Sequence, residues 1–165
     1  MKKVIDGGFV FFNVTLRPTS TGSIRLASTD PTADPIVDPN YFATENDWQV
    51  MRSAVRFALR LKHELAAQNY AISDADVPAG PTDADMDAFI RSRSLSGSHH
   101  SSTCRMAPES EGGVVDDRLR VYGVRNLRVA DSSIFPSILS AHLVAATVAV
   151  AEKCADMVKE DDRSS

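Results

Sequence analysis

Two histidines carry the chemistry that this 165-residue chain offers most openly. His99 lies in Gly97-Ser98-His99-His100-Ser101-Ser102-Thr103-Cys104-Arg105-Met106. His142 lies in Pro136-Ser137-Ile138-Leu139-Ser140-Ala141-His142. Imidazole titrates near neutral pH, so a positioned pair can pass protons to and from a substrate. A neutral imidazole beside a hydroxyl can take its proton, and a second ring can hold the developing alkoxide by hydrogen bonding. His142 is expected at the start of the last helix. The helix dipole there disfavours an added positive charge and so suits a neutral base. His63 is read as a surface or packing residue, with nothing reactive around it. Cys104 and Cys154 fit no metal spacing and are read as free thiols packed as small hydrophobes. No metal site is expected.

Composition narrows the class. With 43% hydrophobic and 24% charged residues, the chain reads as one ordinary globular domain spanning 1–165. A net charge of −4 gives no basic footprint for nucleic acid. No apolar run approaches the roughly 20 residues of a membrane helix, and no membrane contact is expected. Lys2, Lys3 and the apolar Phe9-Val10-Phe11-Phe12 are interrupted by Asp6, Gly7 and Gly8, so no signal peptide is expected and the location is read as cytoplasmic.

The elements that must position the histidines follow from periodicity. Residues 9–16 alternate and predict a strand. Pro18 to Gly22 predicts a turn, and Ser23-Ile24-Arg25-Leu26 a second strand closing a hairpin with the first. Asp30 to Tyr41, rich in Pro and Asp, predicts loop. Thr44 with Asp47 resembles a capping box, opening a helix at 45–68 with Trp48, Met51, Val55, Ala58, Leu59 and Leu65 on its buried stripe. Thr82 to Arg93 predicts a shorter helix with Met86, Phe89 and Ile90 inward. Two short extended runs are expected around Gly123. Ser140 is read as the N-cap of a last helix at 140–158, with Leu143, Ala146, Val150, Cys154 and Met157 on one face. The charged residues 160–165 are expected to be a disordered tail. The fold class is therefore α+β, an antiparallel sheet with flanking helices.

Several ordered motifs together resemble the C-terminal half of the glucose–methanol–choline (GMC) oxidoreductases. They are His99 followed by Ser102-Thr103-Cys104-Arg105-Met106, then Val114-Val115-Asp116, and Leu119-Arg120-Val121-Tyr122-Gly123-Val124. Leu127-Arg128-Val129-Ala130-Asp131-Ser132-Ser133-Ile134-Phe135-Pro136 and Ser140-Ala141-His142 complete the run. Earlier, Leu16-Arg17-Pro18-Thr19-Ser20-Thr21-Gly22-Ser23-Ile24-Arg25-Leu26, Asp30-Pro31 and Asp38-Pro39-Asn40-Tyr41-Phe42 are similar to the family's substrate domain.

The resemblance implies that His99 and His142 are the active-site residues and that His100 is a neighbour, on a position usually held by a small residue. It implies that Asp131, Ser132 and Ser133 touch the flavin if FAD is supplied with a partner domain. It also marks two departures: Ser102 and Ala107 stand where the family carries Gly, and a lost Gly at 102 implies a changed backbone angle near His99.

The family binds FAD at an N-terminal Gly-x-Gly-x-x-Gly turn, and no such motif occurs in this sequence. Three readings follow. The first is the substrate-binding and catalytic half of a FAD-dependent alcohol oxidase or dehydrogenase, completed by an FAD-binding polypeptide. The second is a free-standing, cofactor-free enzyme using the His pair for isomerisation, elimination or cyclisation. The third is a non-catalytic remnant or binding module. A small-molecule substrate is expected in the first two, and a homodimer partner is one way to cover exposed apolar surface. Phe11, Phe12, Tyr41, Trp48 and Phe135 are candidates for an aromatic pocket, with core packing the alternative.

Overall fold

The computed structural model describes residues 10–163. Its elements are β1 (Ser23–Arg25), β2 (Ile36–Asp38), α1 (Glu45–Ala67), α2 (Asp83–Arg93) and α3 (Val144–Arg163), with short 3-10 turns at Glu109–Glu111 and Ser132–Ile134. The class is α+β, with one two-stranded antiparallel sheet and three α-helices among the described residues. The described chain divides into two compact units. One takes the described part of Met1–Thr21 with Tyr41–Ser96, and the other takes Gly22–Asn40 with Gly97–Ser165.

In the first unit, α1 and α2 pack through Trp48, Val55, Met86 and Ile90, all buried. The helical stripe read from the sequence supplies these residues, and Met51, Leu59 and Phe89 pack around them. Burying each such side chain contributes about 1.5–3 kcal/mol. Trp48 donates from Nε1 to the Phe42 carbonyl at 2.9 Å, and the Arg91 guanidinium lies 4.4 Å from its ring centre. The Arg52 guanidinium crosses between the helices as a fork on Asp87, at 2.6 and 2.8 Å.

The capping box forms at α2 rather than at α1. Thr82 accepts from the Asp85 backbone N–H, and the Asp85 carboxylate accepts from the Thr82 backbone. At α1, Thr44 makes no side-chain cap. Its hydroxyl meets that of Thr19 at 2.5 Å. Asp47 turns outward from the helix to accept the backbone N–H groups of Thr19 at 2.7 Å and Ser20 at 3.0 Å.

That carboxylate explains why the expected hairpin does not form. Residues 10–16 carry no strand, and Phe9 lies outside the described residues. The N–H groups at 19 and 20 are bound to the first turn of α1 rather than placed to close a strand pair. β1 instead pairs with β2, Ser23 opposite Asp38 and Arg25 opposite Ile36. Ile36 and Val37 sit between Pro35 and Pro39, so the composition that predicted loop concealed a strand. Gly22 is required there: a Cβ would lie 2.1 Å from the Asp38 carbonyl oxygen.

Burial works against the Asp47 charge, but hydrogen bonds from Ser20 and Thr19 outweigh it and lower the carboxyl from 3.8 to about 2. A carboxyl depressed in the folded state contributes stability above its unfolded value, lost as pH falls through the folded one. We expect a contribution of about 1–2 kcal/mol at neutral pH, declining between about pH 4 and pH 2. Urea midpoints across that range should show the decline, and Asp47→Asn should flatten it. An unaltered acid slope in the variant would contradict the assignment.

In the second unit, Val115, Leu119, Ile134, Phe135 and Leu143 form the buried centre, with Ala146, Val150, Cys154 and Met157 of α3 against it. The runs around Gly123 are reduced to isolated bridges, Val115 with Val121 and Arg120 with Arg128. Helix α3 starts at Val144, later than the expected 140, because the Leu143 carbonyl takes the first backbone bond, from Thr147 at 2.9 Å. It ends later too. The expected disordered tail at 160–165 is helical through Arg163, and 164–165 lie outside the described residues. Asp161 accepts from Arg118 at 2.8 Å and from Arg128 at 2.5 Å, which ties down that end.

Candidate active site

The site belongs wholly to the second unit. His99 leaves a loop whose backbone is laced to the segment 132–134. Ser102, Cys104 and Met106 donate to the carbonyls of Ser132, Ser133 and Ile134 at 3.3, 2.9 and 2.8 Å. The Ser132 hydroxyl donates to the His100 carbonyl at 3.0 Å. Ile134 and Phe135 are buried, so the rail on which the loop hangs is rooted in the core. His142 stands two residues before α3, next to the buried Leu143.

The two rings meet. His99 Nε2 lies 2.7 Å from His142 Nδ1, with ring centres 4.9 Å apart and planes at 66°. One nitrogen must donate and the other accept, so a single proton occupies the contact. His99 is half-buried and His142 exposed, so both rings remain reachable. A cleft of about 270 Å³ opens at His99. Ser98, His100 and Ser132 line it from the loop side of the sequence, and Leu143, Val144, Thr147 and Val148 from the helix start. His142 is not part of that lining and reaches the cleft through its contact with His99.

Sequence reasoning passed over Ser98 and the helical lining. The helical part had a signal: Leu143 with Thr147, and Val144 with Val148, repeat at four-residue spacing directly after His142. Ser98 had none, since its contribution is a backbone shape. Its φ is 57° and that of Ser102 is 70°, so two left-handed serines bracket the His99 turn. Ser102 therefore keeps the conformation that a Gly would adopt freely. Ala107 does not share this property and lies outside the left-handed region.

Holding a side chain in that region costs about 1–2 kcal/mol. Ser102→Gly should recover part of it, about 0.5–1 kcal/mol after the added freedom of the unfolded chain. A higher midpoint at constant denaturant slope is the expected result. A lower midpoint would mean that the serine side chain contributes more than its backbone costs.

Asp131 accepts from the Ser133 N–H at 2.7 Å, capping the 132–134 turn. Among the side chains of this stretch, the Asp131 carboxylate is exposed and the Ser133 hydroxyl is buried without a hydrogen-bond partner. Of the aromatic candidates, Trp48 and Phe135 are core residues, whereas Phe11, Phe12 and Tyr41 are exposed. His63 is exposed on α1. Cys104 and Cys154 are free thiols, both half-buried. No described helix is long and apolar enough to cross a membrane.

Comparison with known proteins places the chain in a family. The family model described as GMC oxidoreductase matches residues 18–151. An oxygen-dependent choline dehydrogenase of Acinetobacter baumannii is 39% identical over 158 residues, covering 94% of this chain and 28% of that protein. The mitochondrial choline dehydrogenase of Mus musculus is 40% identical over 151 residues, covering 88% and 25%. The formate oxidase structure from Aspergillus oryzae superposes with a TM-score of 0.82 at 32% identity, covering 90% of this chain and 26% of that one. Pyridoxine 4-oxidase gives 0.79 at 30% identity, covering 88% and 28%. The chain thus spans about a quarter of the length of the relatives it matches. With a family match over most of its length, it belongs to the GMC oxidoreductases, to whose C-terminal part it corresponds.

Proposed function

We propose that this chain is the catalytic and substrate-facing part of a FAD-dependent alcohol oxidase or dehydrogenase, in which His99 and His142 handle the hydroxyl proton. The observation that carries the reading is the 2.7 Å contact between the two rings, one of which lines a cleft. A substrate hydroxyl entering there replaces the ring-to-ring hydrogen bond with two of its own. The ring that is the acceptor takes the hydroxyl proton, and the donor ring holds the oxygen as charge develops. The laced loop keeps His99 in place while this exchange occurs, so the geometry exists before substrate arrives.

FAD, when bound, supplies the acceptor for the hydride that leaves the carbon. From this chain, Asp131, Ser132 and Ser133 would hold it. The exposed Asp131 carboxylate and the unpartnered Ser133 hydroxyl support that reading. The Gly-rich turn for its pyrophosphate would come from an FAD-binding segment, on the same polypeptide or a partner.

The test is flavin retention. The 165-residue chain is gel-filtered alone and after co-expression with the FAD-binding segment of a choline dehydrogenase it resembles. We expect flavin absorbance only in the second sample, bleached by an alcohol without oxygen and dependent on His99. Proton-transfer activity without flavin that needs both histidines would replace this reading with the cofactor-free one.

A further inference from the structure

We infer that the cleft beside His99 takes the uncharged, aliphatic stem of an alcohol and disfavours a cationic one. This names a substrate class for the alcohol-oxidation reading and rests on that reading, since it places the hydroxyl at His99. The cleft, of about 270 Å³, is lined by two unlike sets of residues. His99, His100 and Ser132 bring polar groups, and Leu143, Val144 and Val148 bring hydrocarbon. Val144 and Val148 lie four residues apart and so share one face of α3. They are 72% and 55% exposed, whereas Leu143 just before them is buried. Apolar surface left in water beside a few polar groups is the pattern of a small-molecule site. Each methylene laid on the two valines takes apolar surface out of water. The rise from Val144 to Val148 is about 6 Å, the length of a short alkyl stem.

Charge separates the candidates. A quaternary ammonium is held by the face of an aromatic ring or by a carboxylate. Neither is among the described residues that line the cleft. Its ionisable lining residues are His99 and His100, whose charged form is positive and repels a second cation. An ammonium set against Val144 and Val148 gives up part of its hydration and gains no partner. The same shape with carbon in place of nitrogen gains from that contact. Choline, the compound that two similar dehydrogenases are named for, and its carbon isostere dimethylbutanol differ by this one charge at nearly equal size.

The 165-residue chain is titrated with butanol, hexanol, dimethylbutanol and choline while the ring-proton resonances of His99 and His142 are followed. Saturable shifts are expected with the three neutral alcohols, tightening about two- to fourfold per methylene from butanol to hexanol. Dimethylbutanol should bind at least about tenfold tighter than choline. Val148→Asn should weaken hexanol about three- to tenfold, with circular dichroism checking that the variant is folded. Choline binding as tightly as dimethylbutanol overturns the inference. So does an unchanged hexanol affinity in Val148→Asn, or no shift with any alcohol. Binding is read without flavin, so the two readings fail separately. Choline turned over by the flavin-loaded protein in preference to dimethylbutanol sinks the selectivity and keeps alcohol oxidation. Selective binding with no turnover supports the selectivity and removes the oxidation reading.

Discussion

Replacing His99 with Ala should lower alcohol turnover by about 10²–10⁴-fold, the usual cost of a lost acid–base group. Folding should be unaffected, because the ring is half-buried and its one described hydrogen bond is to His142. His142→Ala should fall in the same range. The double variant should be little worse than either single if the rings act on one oxygen as a unit, as proposed. His63→Ala, exposed on α1, is the control and should keep full rate. The measurement is kcat/KM on the flavin-loaded protein, with circular dichroism on each variant. Additive losses from His99 and His142 would mean that the two rings serve separate steps.

The second large effect concerns the rail beneath the site. Ile134 is 2% exposed, and its carbonyl accepts from the Met106 N–H at 2.8 Å. Ile134→Ala should cost about 2–5 kcal/mol through lost burial and the cavity left behind. Against a total of about 5–15 kcal/mol this is a large share of stability. The cavity would open between the core and the His99 loop, so the 2.7 Å ring contact should loosen as well. Ile24→Ala on the exposed hairpin is the comparison, with an expected change within about 0.5 kcal/mol. Denaturant midpoints decide the matter, and equal midpoints for the two variants would contradict the placement of Ile134 in the core.

Periodicity made the helices legible because burial imposes it. The α1 stripe and the Met86–Ile90 pair fell where their spacing predicted, and α2 covers Asp83–Arg93 against an expected start at 82. The motifs placed His99 and His142 together although they lie 43 positions apart, and their rings touch. The failures share a cause: side chains with two uses. Asp47 was three residues from Thr44 and suited a capping box, yet its carboxylate serves Thr19 and Ser20 across 28 and 27 residues. Asp161 looked like part of a charged tail, yet it binds Arg118 and Arg128. Local spacing cannot rank a near partner against a distant one. The left-handed angle at Ser102 was also hidden, since a serine gives no sign of being held where a glycine would rest.

The burial of Trp48 has a spectroscopic consequence. It is the only tryptophan of the chain, and it lies in the α1–α2 unit under the Arg91 guanidinium. Indole emission therefore reports directly on the unit that lacks the histidine pair. A single fluorescence melt would register a loosened α1–α2 pair as global unfolding. Ring-proton resonances of His99 and His142 are the signals that report on the other unit. An emission curve and a resonance curve that diverge on heating would show the two units losing order at different temperatures.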